Sequence, residues 1–98
     1  MKKAHAPITP GEILLTEFLE PLGISQYRLA QATGLPQTRI SEIVRGKRAI
    51  TTDTALRLSK ALGVDDRFWI NIQTDYNLEM ERDLHSEQLA KVTLLVAS

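Results

Sequence analysis

No cysteine occurs in the 98 residues. That removes disulfide staples, thiolate metal ligands and a cysteine nucleophile together, and it fits a reducing compartment such as the cytoplasm. Aromatic residues make up only 5% of the chain, so a core has to be built from Leu, Ile, Val and Ala. The longest apolar runs, such as Val92 to Ala97, fall far below the roughly 20 residues that cross a bilayer, and Met1 to Ala6 has no signal-peptide apolar core. There is no Gly-rich phosphate loop, no nucleophile motif and no grouping of titratable residues by spacing, so neither an enzyme, a cofactor nor a small-molecule substrate is expected. His5 and His85 stand far apart, with no carboxylate at ligand spacing, which argues against a metal site and for two solvent-exposed histidines. Asp65 and Asp66 read as a helix cap rather than a catalytic pair.

Net charge is also absent, because 12 Lys and Arg cancel 12 Asp and Glu. The cancellation hides a segregation. Residues 24–50 hold Arg28, Arg39, Arg45, Lys47 and Arg48 against Glu42 alone, whereas residues 51–98 hold five cations against eight acids. A basic patch on an otherwise acidic molecule can hold a polyanion, and it is equally what a solvated face would show. The acidic stretch from Asp65 to Asp83, with Asp75, Glu79 and Glu81 in it, suits a basic protein partner away from that patch.

What is present is helical punctuation. Hydrophobic content of 43% and charged content of 24% suit one globular domain of 98 residues. Thr9-Pro10-Gly11-Glu12 is a capping box with proline at the first helical position, and it predicts a helix from about Pro10 to Glu20, ended by Pro21. Ser25 caps a second helix that stops at Gly34, and Pro36 opens a third that reaches Arg45 and stops at Gly46. Thr51 or Thr52 caps a fourth, to Leu62, and Asp65 a fifth, to about Arg82. Residues 84–98 are ambiguous: Leu89, Val92 and Val96 are spaced for a helix, while Val92-Thr93-Leu94-Leu95-Val96 is rich in strand formers. The fold class is all-α, with a domain over residues 7–83 and a tail over 84–98.

The chemistry concentrates in the second and third helices. Gly34 supplies the left-handed turn that lets two short helices meet steeply, the geometry of a helix-turn-helix. On the third helix Thr38, Ser41, Glu42 and Arg45 form one polar face opposite Ile40, Ile43 and Val44. With Gln37 and Arg39 at its start, this face carries forked or short hydrogen-bonding groups suited to base edges: Gln to adenine, Arg to guanine, Thr to the thymine methyl. Glu42 either accepts from a cytosine amino group or positions Arg39 or Arg45. Arg45, Lys47 and Arg48 around Gly46 suit phosphates. A reader of this size needs two copies on a palindrome, and the stripe Trp69, Ile72, Tyr76 and Met80 of the fifth helix supplies either a homodimer surface or the closing wall of the monomer core. Leu94, Leu95 and Val96 offer a further apolar segment that packs against the same helix or its mate.

The run Ser25-Gln26-Tyr27-Arg28-Leu29-Ala30-Gln31-Ala32-Thr33-Gly34, continuing to Ile40-Ser41-Glu42-Ile43-Val44-Arg45-Gly46-Lys47, resembles the helix-turn-helix of phage repressors of the Cro or XRE type. Pro10-Gly11-Glu12-Ile13-Leu14, Phe18-Leu19-Glu20-Pro21-Leu22-Gly23, Ile50 to Leu58 and Phe68 to Gln73 narrow this, in the right order, to the HigA antitoxin family, also called virulence-associated protein I. The resemblance covers residues 7–80. It implies a five-helix lambda-repressor-like domain in a bacterial antitoxin that binds its own operator DNA as a homodimer and neutralises a RelE-like, mRNA-cleaving HigB toxin. In that family the residue matching Gln26 contacts a phosphate, and those matching Gln37, Thr38, Ser41 and Glu42 face the major groove. A stand-alone transcriptional repressor of the same superfamily, without a toxin, fits the DNA-binding residues equally well.

Overall fold

Three hydroxyl caps set the helix starts. Thr9 Oγ1 accepts the Glu12 N–H at 3.1 Å, Ser25 Oγ the Arg28 N–H at 3.0 Å, and Thr51 Oγ1 the Thr54 N–H at 3.3 Å; each satisfies a donor that the first helical turn leaves open. The computed structural model describes residues 7–97. Among these it has six helices and no strand. Helix α1 spans residues 10–22 in three pieces, Pro10–Ile13, Leu14–Leu19 and Glu20–Leu22; α2 is Gln26–Thr33, α3 Gln37–Val44, α4 Thr52–Leu62, α5 Phe68–Leu84 and α6 Ser86–Ala90.

Pro21 does not end α1. The middle piece is π-helical, with the Glu20 N–H reaching back five residues to the Leu15 carbonyl. This wider turn relieves the proline ring of the carbonyl it would strike in a regular helix, and the missing proline N–H needs no partner. The chain instead leaves the helix at Gly23, whose φ of 66° is left-handed.

Leu14, Leu19, Leu29, Ile40, Ile43, Ile50, Leu58 and Trp69 form the centre of one core that draws on α1 to α5. Gly34, with φ of 74°, turns α2 into α3, and Leu35 beside it is buried and pins the turn to the core. At the other end Phe18, Phe68 and Trp69 meet as an aromatic trio with ring centroids 5.1–5.7 Å apart, in the tilted and edge-on arrangements that ring quadrupoles favour.

Helix α5 begins at Phe68, three residues after its expected cap; the Asp65 carboxylate does accept a backbone donor, the Arg67 N–H, at 2.8 Å. The helix then outruns the body. Only Trp69 and Gln73 on it are buried, and none in its second half; the molecule measures 49 × 29 × 21 Å with a radius of gyration of 16.3 Å, against about 13 Å for a compact chain of this length. Beyond α6, residues 92–97 adopt neither the helix nor the strand that their composition allows. Leu94, Leu95 and Val96 are exposed, Leu95 by 89%, so they do not pack on α5 of the same chain, and of the two expected seats only the helix of a mate is left. The strand formers have no neighbouring strand among the described residues to pair with, so their propensity is unused.

Candidate nucleic-acid interface

Helix α3 is held from behind so that its front is free. Ile40 and Ile43 are buried in the core, while Gln37 and Thr38 are exposed and Arg39, Ser41 and Glu42 half-buried. Pro36 occupies the cap position, so no side chain covers the first backbone donors of the helix; they point outward with Gln37 and Thr38 at the positive end of the helix dipole. Gln26 lies half-buried at the start of α2, next to its cap Ser25.

Past the C-terminal end, Gly46 turns with φ of 74° and the Lys47 N–H closes the turn on the Glu42 carbonyl at 2.8 Å. Arg45, Lys47 and Arg48 are all exposed there. Arg45 Nε bends back to the Ser41 carbonyl at 3.4 Å. Glu42 pairs with neither Arg39 nor Arg45, the partners expected from helical spacing, but with Arg48 Nε at 2.7 Å. The turn at Gly46 brings residue 48 back over the helix, which a spacing rule does not see. In an exposed pair such as this the gain in stability is at most about 1 kcal/mol, and its effect is to orient the guanidinium beside the helix end.

Three residues outside the motif fix its position. Gly11 on α1 lies against the last turn of α3 so closely that a Cβ there would stand 1.6 Å from the Ile43 carbonyl oxygen. Gln73 on α5 is buried; its Oε1 accepts the Ile50 N–H at 2.8 Å and its Nε2 donates to Asn77 Oδ1 at 2.9 Å, tying the loop after α3 to α5. Arg57 on α4 donates to the Thr33 carbonyl at the end of α2 at 2.8 Å and pairs with Asp53 at 3.0 Å. Sequence reasoning missed all three as positioning residues. A signal existed for Gln73, an uncharged polar residue four positions after Trp69 on the inward stripe.

Of the stripe expected to form a dimer surface, Trp69 is fully buried within one chain and has no surface to offer a partner. Ile72 and Tyr76 are half-buried, Ile72 packing against the core, and Met80 is exposed. The stripe runs from core to surface along the helix because α5 leaves the body midway. His5 lies outside the described residues; His85, expected to be solvent-exposed with no carboxylate at ligand spacing, is half-buried, and its Nδ1 meets Oε2 of Glu81, one helical turn earlier, at 2.8 Å. Among the described residues no group of three His, Asp or Glu could hold a metal ion, and no helix is long and apolar enough to cross a membrane.

The arrangement therefore presents a helix end with open donors, short polar side chains along one face and three cations beyond it. The helix-turn-helix family model matches residues 15–69. Antitoxin HigA-1 of Vibrio cholerae is 36% identical over 97 residues, covering 99% of this chain and 91% of that one. The chain belongs to the helix-turn-helix family of HigA antitoxins. Within the family, virulence-associated protein I of Dichelobacter nodosus is 51% identical over 86 residues, covering 87% of this chain and 80% of that protein. The antitoxin HigA of Pseudomonas aeruginosa, solved with the higBA promoter, superposes with a TM-score of 0.85 at 35% identity, covering 92% of this chain and 99% of that one. The all-helical architecture expected from the sequence is thus that of a HigA antitoxin.

Proposed function

We propose that this chain is an antitoxin that represses its own operon, two copies seating α3 in successive major grooves of a palindromic operator in the cytoplasm. The same chain holds a small basic mRNA-cleaving toxin of the HigB type inactive. The observation that carries this reading is the outward face of α3, Gln37, Thr38, Ser41 and Glu42, flanked by Gln26 and by Arg39, Arg45, Lys47 and Arg48, in a chain with a family member solved on promoter DNA. The residues nearest the helix start meet base edges and the cations meet phosphates.

Fluorescence anisotropy on the DNA upstream of the chain's own gene separates the two roles. Gln37→Ala or Thr38→Ala is expected to relax discrimination at one or two base pairs by roughly 1–3 kcal/mol each. Lys47→Ala is expected to weaken all sequences alike and to lower the salt slope by about one. Wild-type operator binding by Gln37→Ala, Thr38→Ala and Arg39→Ala alike would show that another face reads the DNA.

Pairing of two copies is assigned to the projecting half of α5, where Met80 is 41% exposed and Leu84, one turn further along the same face, is exposed too, with Ile72 and Tyr76 in line before them. Exposed apolar side chains in such a row are what a partner surface covers. Met80→Asp is expected to leave the fold intact and yield a monomer of 11.0 kDa, measured by light scattering at micromolar concentration. A wild-type chain that is itself monomeric there would overturn the pairing. The stand-alone repressor differs only in lacking the toxin, and co-expression with the neighbouring gene product decides between the two.

A further inference from the structure

A cleft of about 360 Å³ opens where the π-helical stretch of α1 meets the start of α2. Leu15, Leu19 and Ile24 form an apolar floor, and Glu20, Ser25 and Gln26 stand around it. Glu20 is exposed in the last turn of α1, where the carbonyl end of a helix is already negative and a carboxylate is unfavourable to it. Helix stability gives no reason for an acid at that position. The same helix exposes Glu12 and Glu17, and residues 7–23 contain no Lys or Arg. None of these three acids makes an ion pair among the described residues.

The acidic stretch on α5 is different. There Asp65 accepts the Arg67 N–H, Glu81 meets His85, and Glu79 and Asp83 are engaged within the chain. Four of the six acids from Asp65 to Asp83 thus already have a partner within the chain.

We propose that the cleft between α1 and α2 receives an arginine or lysine side chain of a basic partner protein, its aliphatic stem lying on Leu15 and Ile24 and its charge on Glu20. This rests on the toxin-neutralising reading above, since a protein that grips RNA carries a basic surface. A long cationic side chain matches the site in kind: its methylenes cover an apolar floor while its head stays at a wet, acidic rim. The depression is shallow and open, which suits a side chain laid across it better than an enclosed cofactor. Gln26 belongs both to this cleft and to the proposed phosphate contacts, so toxin and operator draw on one side chain.

Calorimetric titration of the small basic protein encoded beside this chain into full-length wild type, Glu20→Lys, Glu20→Gln and Leu15→Ala tests the site, with Asp75→Lys on α5 as the comparison. Glu20→Lys is expected to weaken toxin binding at least tenfold, most strongly at low salt, and Glu20→Gln and Leu15→Ala by roughly threefold, while Asp75→Lys stays within about twofold. Circular-dichroism melts check folding, and Glu20, being on the surface, decides the matter even if Leu15→Ala melts early. Equal toxin affinity of Glu20→Lys and wild type overturns the cleft and leaves the antitoxin reading standing. Failure of the wild-type chain to bind the toxin at all overturns that reading, and the cleft's role with it.

Discussion

Gly11→Ala is expected to destabilise the fold by about 3 kcal/mol or more and to loosen α3 from α1. The added Cβ would meet the Ile43 carbonyl oxygen at 1.6 Å, its carbon at 2.6 Å and Val44 Cα at 3.0 Å, all of them backbone atoms that no side-chain rotation can move aside. Propensity argues the other way, since alanine is better than glycine inside a helix by about 1 kcal/mol. The sign of the change therefore identifies the cause. For a domain of this size the expected fall in Tm is roughly 12–24 °C, read by circular dichroism, and operator affinity should fall with it because the displaced turn carries Arg45, Lys47 and Arg48. A variant that melts at or above the wild-type temperature would mean that α1 and α3 are not in contact at Gly11.

Trp69→Ala is expected to cost about 3–5 kcal/mol, the range for removing a large buried aromatic ring. Trp69 is fully buried and its ring lies 5.1 Å from Phe18 and 5.2 Å from Phe68 by centroid, so its loss opens a cavity between α1 and α5. Trp69→Phe should be much milder. The indole Nε1 is buried with no hydrogen-bond partner among the described residues, and removing a buried unpaired N–H recovers part of what the smaller ring loses. Urea denaturation compares the two variants. Because Trp69 has no outer surface, Trp69→Phe should leave the oligomeric state unchanged; a shift to monomer with the fold retained would restore Trp69 to the pairing surface.

What the sequence made legible was local. The hydroxyls of Thr9, Ser25 and Thr51 act within three residues of themselves, and Gly34 and Gly46 carry their turns through their own backbone, so these starts and stops could be read without a fold. Gln73 and Gly11 act across the chain, on Ile50 and on Ile43, and no local pattern carries such pairings. Glu42 fell between the two cases: its charge called for a cation, but the choice of Arg48 depends on the path of the turn at Gly46. The end of α1 was misplaced because Pro21 breaks a regular helix, whereas the π-helical turn before it admits the ring. In the candidate interface, the exposed polar face of α3 was visible from spacing, and the burial of Trp69 was not, since a stripe of apolar residues looks alike whether one chain or two cover it.

The projecting half of α5 makes the helix both ruler and protractor. Each residue added or removed beyond Gln73 slides the far end by about 1.5 Å and swings it by about 100°, so an apolar face set to meet a mate would turn away before it had moved a bond length. Only changes close to a whole turn, three or four residues at a time, restore the face, and each shifts the reach by about 5 Å. If two copies pair through this face as proposed, variation in the distance between the two DNA-reading bodies comes in steps rather than gradually, with the length of this one helix setting which operator spacings a descendant can adopt.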